Sequence, residues 1–334
     1  MKKKIILLRD PWKDVKNKDS GWGNRLICWE AAHIINKALG GDYIIKVLPA
    51  EYPEILAVNF PNTEYYTPNE WSKDLVPIEN STVLSWIEKD EITLSNDVSY
   101  VTNFDFSFSG EITGAFFNFK FDLVRKLRFK DEALGKRLRL YFKDRIGIHI
   151  RRGRGVHMTN DDKLSIPKPY MRYYKVCTKC DKNYPFIRDE IYFNIIEDYI
   201  KKDKDAKFFI GIDINEKALI YYKEKYPGRI ITFEDVVKDN KDVIDQSQIL
   251  RPRLQLSDMG KILIDFFSLA YCKVLMGSPS STWSYMAFRI LNNSIENKMT
   301  TYIPSEELRK PIGYLNVFNY NGHKKQYIHK SDIL

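Results

Sequence analysis

A chain of 334 residues with 44% hydrophobic content can bury a large core, and its length falls between one big domain and two ordinary ones, so two domains are expected. Its 53 Lys and Arg against 44 Asp and Glu give a formal charge of +9, which favours an anionic partner. The cations are spread along the chain and form no nucleic-acid-binding module; no stretch of about 18 apolar residues occurs; and four cysteines make no disulfide framework. These exclude a membrane anchor, leave at most peripheral membrane contact, give no role to nucleic acid, and point to a cytoplasmic protein. Cys177-Thr-Lys-Cys180 offers two thiols without the second pair that a zinc site requires.

Along the chain, Ile5 to Leu8 reads as a first strand, too short an apolar run for a signal peptide. A loop with Gly21-Trp-Gly-Asn24 follows, then a helix from about Arg25 to Leu39 closed by Gly40-Gly41, then a strand over Tyr43 to Leu48. Residues 50–114 show only short elements, and Phe121 to Phe142 reads as one basic helix. Beyond it the pattern alternates regularly. Strands are expected at Arg145–Ile150, Ala206–Asp213, Arg229–Phe233 and Lys273–Met276, and helices at Asp189–Lys202, Glu216–Tyr226, Asp258–Cys272 and Thr282–Leu291. Such alternation implies a parallel doubly wound sheet, because parallel neighbours need crossover connections. The expected layout is an α/β domain over 1–140, a Rossmann-like domain over 141–300, and a segment 301–334 without clear periodicity that packs back on the first domain.

In such sheets ligands bind beyond the carboxyl ends of the strands. Arg151-Arg152-Gly-Arg-Gly155 follows the first strand of the second half, and guanidinium groups grip phosphate in a bidentate manner. Asp213 ends the next, where a carboxylate can accept from the N1–H and N2–H of guanine. Gly277-Ser-Pro-Ser-Ser-Thr282 follows the last strand and opens a helix, supplying amides and hydroxyls to an anion. Singly these are surface charge, a helix cap and another cap. Together, at the ends of one sheet, they suit a nucleoside diphosphate. Asp203-Lys-Asp205 lies in a lysine-rich turn and reads as solvated loop, so no metal or other cofactor is expected, the arginines supplying the positive charge.

The segment Ile146-Gly-Ile-His-Ile-Arg-Arg-Gly153 resembles the His-x-Arg-Arg motif of the α1,2-, α1,6- and protein O-fucosyltransferases. Phe208-Phe-Ile-Gly-Ile-Asp213, Ile264-Asp-Phe-Phe-Ser-Leu-Ala270 and Ser280-Ser281 are similar to the α1,6 branch, and Gly21-Trp-Gly-Asn-Arg25 to its N-terminal loop. The resemblance implies a GT-B fold, two Rossmann-like domains facing a cleft, and an inverting, metal-free transfer of fucose from GDP-fucose to a glycan hydroxyl. It assigns Arg151 to the diphosphate with Arg152 beside it, Asp213 to guanine, Ser280 and Ser281, with the adjoining Thr282, to phosphate, His149 to the nucleotide's side, and Asn24 to the donor. Departures are Arg154, where an acidic or neutral residue is usual, and the lack of a clear match for the proposed basic glutamate. His157, Asp161 and Asp162 fall in that stretch, and His157 and Asp161 are the candidates for the base. The alternatives are a GT-B enzyme using another nucleotide sugar, or a non-catalytic nucleotide-sugar-binding protein.

Overall fold

The structure, a computed structural model, describes residues 4–10, 21–67, 75–78, 94–95, 98–102, 123–152, 158, 160–174, 186–247, 258–278, 281–291, 299–303, 314–318 and 325–328. The chain divides into two compact units, Met1–Gly135 with Ile249–Ile262, and Lys136–Gln248 with Leu263–Leu334.

The first unit carries a parallel sheet. Its strands are β1 (Ile5–Leu8), β2 (Ile44–Val47), β3 (Thr63–Tyr65), β4 (Leu75–Pro77) and β5 (Ser99–Thr102), in the order β3-β2-β1-β5-β4. All four residues of β1 are buried, as a strand covered on both faces demands. Helix α1 (Trp22–Ala38) is longer than the sequence pattern suggests. Gly21 is its N-cap, so Trp22, Gly23 and Asn24 form its first turn, and Asn24 does not cap it. Its far end is a Schellman turn: Gly41 N donates to Asn36 O at 2.8 Å and Gly40 N to Lys37 O at 3.2 Å, with Gly40 at φ 92°.

From Arg25 to Asn36 every residue of α1 is buried, so each polar one needs a partner. Arg25 pairs with Glu54 at 2.9 Å and donates to Glu51 O; Glu30 accepts from Val124 N; His33 Nε2 lies 3.3 Å from Thr63 Oγ1; Asn36 exchanges two bonds with the Tyr43 backbone. These contacts fix α1 against β2, β3 and the two short 3-10 turns, Pro53–Leu56 and Leu123–Lys126. The single basic helix expected over 121–142 is broken: after the 3-10 turn, Phe129 bridges to Val58, and only then does α2 (Glu132–Phe142) begin. Asp131 caps it through Leu134 N at 2.9 Å, an interruption the basic composition conceals.

In the second unit the strands are β6 (Ile146–Ile150), β7 (Phe208–Ile212), β8 (Ile230–Ile231), β9 (Val274–Gly277), β10 (Met299–Ile303), β11 (Tyr314–Phe318) and β12 (Lys325–Ile328). Their order is β12-β11-β10-β9-β6-β7-β8, parallel from β8 to β10 and antiparallel in the last two pairings. Within the terminal stretch, expected to return to the first domain, the described strands β10, β11 and β12 extend this sheet: β10 pairs with β9, covering what would otherwise be an open row of backbone donors and acceptors.

The helices are α3 (Asn160–Ser165), α4 (Asp189–Lys202), α5 (Ile220–Lys225), α6 (Phe233–Asp239), α7 (Lys241–Gln246), α8 (Asp258–Ala270) and α9 (Thr282–Leu291). Strand β8 is only two residues long because a capping box, Thr232 with Asp235, starts α6 at Phe233, which the sequence pattern assigns to the strand. Two glycines let the α8 segment lie close on the sheet. A Cβ on Gly147 would stand 3.1 Å from Cys272 Sγ, and one on Gly211 3.2 Å from Asp265 Oδ1.

Candidate functional site

Register decides what meets at the carboxyl edge. Ile150 lies opposite Ile212, and Ile148 opposite Met276, so β7, β6 and β9 end side by side. Arg151, Asp213 and Ser278 are therefore neighbours although 62 and 65 residues separate them in sequence (213 − 151 and 278 − 213). Hydrogen bonds lock the edge. Arg151 N donates to Ser278 Oγ at 2.9 Å, Ser278 Oγ donates to His149 O at 2.7 Å, and Ser278 N donates to Ser284 Oγ at 3.2 Å. Ser284 Oγ also lies 2.6 Å from His149 Nδ1, and Ser281 Oγ accepts from Ser284 N at 3.3 Å as the N-cap of α9. The β9–α9 turn is thus stitched to the end of β6, with the amino end of a ten-residue helix placed beside Arg151.

His149 is buried, and burial first, the Arg151 charge second, bring its pKa down to about 3. It is a neutral imidazole at ordinary pH. Its ring stacks at 27° on Trp283, 6.4 Å between centroids.

Arg152 does not stand beside Arg151 as a second phosphate ligand. Its side chain is fully buried, 2.7 Å from Asp189 Oδ1, with its guanidinium carbon 4.1 Å from the centre of the Phe186 ring. A guanidinium so enclosed is committed to the protein, and only its amide faces the edge, donating to Asp213 Oδ1 at 2.5 Å. That bond also limits Asp213. One of the two oxygens expected to meet guanine already holds a backbone amide.

Sequence reasoning missed a second carboxyl at this place. Asp265 of α8 sits over Gly211, and burial, followed by the charges of Glu216 and Asp213, pushes its pKa up to about 8. Its signal in the sequence was a lone acid inside the apolar run Ile262-Leu-Ile-Asp-Phe-Phe267. Ser278 and Ser284 were missed too. Ser278 lay within the turn already singled out, whereas the proximity of Ser284 to His149 follows from tertiary packing alone.

Of the remaining candidates, Asn24 is half-buried in α1's first turn and Thr282 is the first residue of α9. Asp161 lies in α3. His157, Ser280, Arg154 and the Cys177–Cys180 pair lie outside the described residues. Among the described residues no group of three His, Cys, Asp or Glu could hold a metal ion, and no helix is long and apolar enough to cross a membrane.

No protein-family profile and no curated protein sequence matches the chain. Among solved structures, fucosyltransferase NodZ from Bradyrhizobium is similar at TM-score 0.51 and 12% identity, over 95% of this chain and 99% of that one. The fold is GT-B. POFUT1 in complex with GDP (TM-score 0.46, 11% identity, 90% of this chain and 99% of that one) and a mutant of Arabidopsis thaliana FUT1 in complex with GDP (0.47, 12%, 91% and 71%) have lower scores. In this GT-B chain each unit has its own sheet, parallel in the first and mixed in the second, and the polar groups just described occupy the carboxyl edge of the second sheet's parallel part, where doubly wound sheets take their ligands.

Proposed function

We propose that the protein is a glycosyltransferase that moves fucose from GDP-fucose to a glycan hydroxyl with inversion and without a metal. The observation that carries this is the placement of Arg151 at the end of β6, its backbone tied to the β9–α9 turn, within a fold shared with an enzyme described as a fucosyltransferase. Arg151 and the amino end of α9 provide the positive field for a diphosphate. Two carboxyls lie near the end of β7 for the guanine edge, Asp213, whose Oδ1 also accepts the Arg152 amide, and Asp265 of α8 over Gly211; of these we assign Asp265. Ionised, Asp265 can take both guanine N–H groups.

In the reaction, the bond between fucose C1 and the β-phosphate oxygen breaks and its electron pair stays on GDP. The acceptor oxygen bonds C1 from the opposite face and loses its proton. Arg151 stabilises the charge that grows on the leaving phosphate, an interaction stronger in the transition state than in the ground state. His157 or Asp161 takes the acceptor's proton, and His149, neutral and hydrogen-bonded to Ser284, serves as scaffold.

The test is GDP release measured across GDP-fucose, other GDP-sugars and UDP-sugars with a panel of glycan acceptors. GDP-fucose should give the fastest turnover. Faster release from another sugar would move the donor assignment to that sugar, and absence of both turnover and calorimetric GDP binding would leave the proposal without support.

A further inference from the structure

Asp189, the first residue of α4, is 2% exposed, and both of its carboxylate oxygens are engaged by residues distant in sequence. Oδ1 accepts from Arg152 Nη2 and from Tyr222 Oη, each at 2.7 Å. Oδ2 accepts from the Tyr221 hydroxyl, with Tyr174 Oη at 3.5 Å. The arginine is enclosed on its other sides by rings, its guanidinium carbon 4.1 Å from the centre of Phe186, 5.5 Å from Tyr192 and 5.9 Å from Tyr174. An acid in the first turn of a helix is ordinarily accounted for by the helix dipole. That account does not call for an arginine 37 residues away or for three tyrosine hydroxyls.

Stability is not a sufficient account either, since a buried ion pair usually gains nothing over apolar residues of similar volume. What this pair does is immobilise. Arg152 is held by its side chain in the Asp189 clamp and by its amide on Asp213 Oδ1, while the amide of the preceding residue is held by Ser278 Oγ. Arg151 is thus flanked by anchored peptide units. A guanidinium must sit within about half an ångström of its productive place to act on a developing charge, and that placement begins at the backbone.

We propose that Asp189 is a positioning residue of the diphosphate site, locking Arg152 so that the backbone delivers the Arg151 guanidinium to the leaving phosphate. This rests on the role given to Arg151 above. Asp189 itself touches no substrate, and its effect passes through Arg152.

The test uses the full chain in three forms beside the wild type: Asp189→Leu with Arg152→Met, which leaves no orphan charge; Tyr221→Phe with Tyr222→Phe, which keeps the ion pair; and Arg151→Lys. For the Leu/Met pair kcat of GDP release from GDP-fucose should fall at least tenfold, with KM changed less than threefold and the melting temperature near wild type. The Phe pair should lose about threefold or more in kcat. A folded Leu/Met protein with wild-type kcat overturns the proposal; if that protein does not fold, wild-type kcat in the Phe pair overturns it. Arg151→Lys separates the two levels. If it keeps full turnover, the diphosphate assignment fails and the positioning role with it. If it is impaired while the clamp variants are not, the positioning role alone fails.

Discussion

Asp265→Asn gives a test of the second sheet's carboxyl edge that needs no substrate. The Asp265 carboxyl moves from 3.8 to about 8, through burial first and then the charges of Glu216 and Asp213. An unfolded chain ionises this residue near 3.8. Between the two values the native state holds a proton that the unfolded state has lost, so wild-type stability falls as pH rises from about 4 to about 8 and levels off above. At about 1.4 kcal/mol per pKa unit the whole shift corresponds to on the order of 5 kcal/mol. Asparagine has nearly the same shape and never ionises. At about pH 3 the two proteins should melt together, by about pH 5 the variant should begin to melt higher, and at about pH 9 the difference should reach roughly 4–8 °C. Melting curves of both without nucleotide, at half-unit pH steps, measure this. A constant difference across the range would show that Asp265 does not carry the raised pKa, and the argument from its environment would fall.

The same residue predicts that GDP affinity rises with pH between about 6 and 8, by up to tenfold per unit, since guanine favours the ionised form; titration calorimetry giving a flat profile would remove Asp265 from base recognition. Arg151→Lys keeps a charge but loses the planar fork, and should cost on the order of one hundredfold in turnover at saturating donor with the fold intact. Asn24→Ala should reduce turnover by more than its loss of melting temperature accounts for; if the two losses track each other, Asn24 is only a part of α1's first turn. A chelator should leave GDP release unchanged, and a loss restored by a divalent cation would overturn the metal-free chemistry.

The legible part of the fold was the part governed by local periodicity. The apolar runs that became β6, β7 and β9 are covered on both faces, and their spacing by helices left a parallel sheet as the simplest arrangement. Where local polar chemistry competes with that pattern, the sequence misleads. Asp131 and the capping box of Thr232 with Asp235 begin helices that composition alone merges into a neighbour or assigns to a strand. The end of the chain lacked any pattern, and only its pairing with β9 gives β10 its place.

The site divides along the same line. Arg151 and Asp213 follow strands directly, so knowing the strands was enough to bring them together. Strand alternation lets only one of Arg151 and Arg152 face the cleft, but what Arg152 does instead was not legible, because its partner sits 37 residues away and reads, on its own helix, as an ordinary first-turn acid. The difference matters for the field at the site. With Arg152 neutralised by Asp189 at 2.7 Å, the charge presented at the end of β6 among the described residues is that of Arg151, supplemented by the amino end of α9. That charge is felt by His149, where it adds to burial in holding the imidazole unprotonated down to about pH 3. A neutral His149 can keep its bond to Ser284, and through Ser284 and Ser278 the turn that receives the Arg151 amide, across the whole working pH range. The second arginine and the histidine are therefore two halves of one mount: both are buried and bonded within the protein, and what they hold in place is the backbone of Arg151, between the ends of β6 and β9.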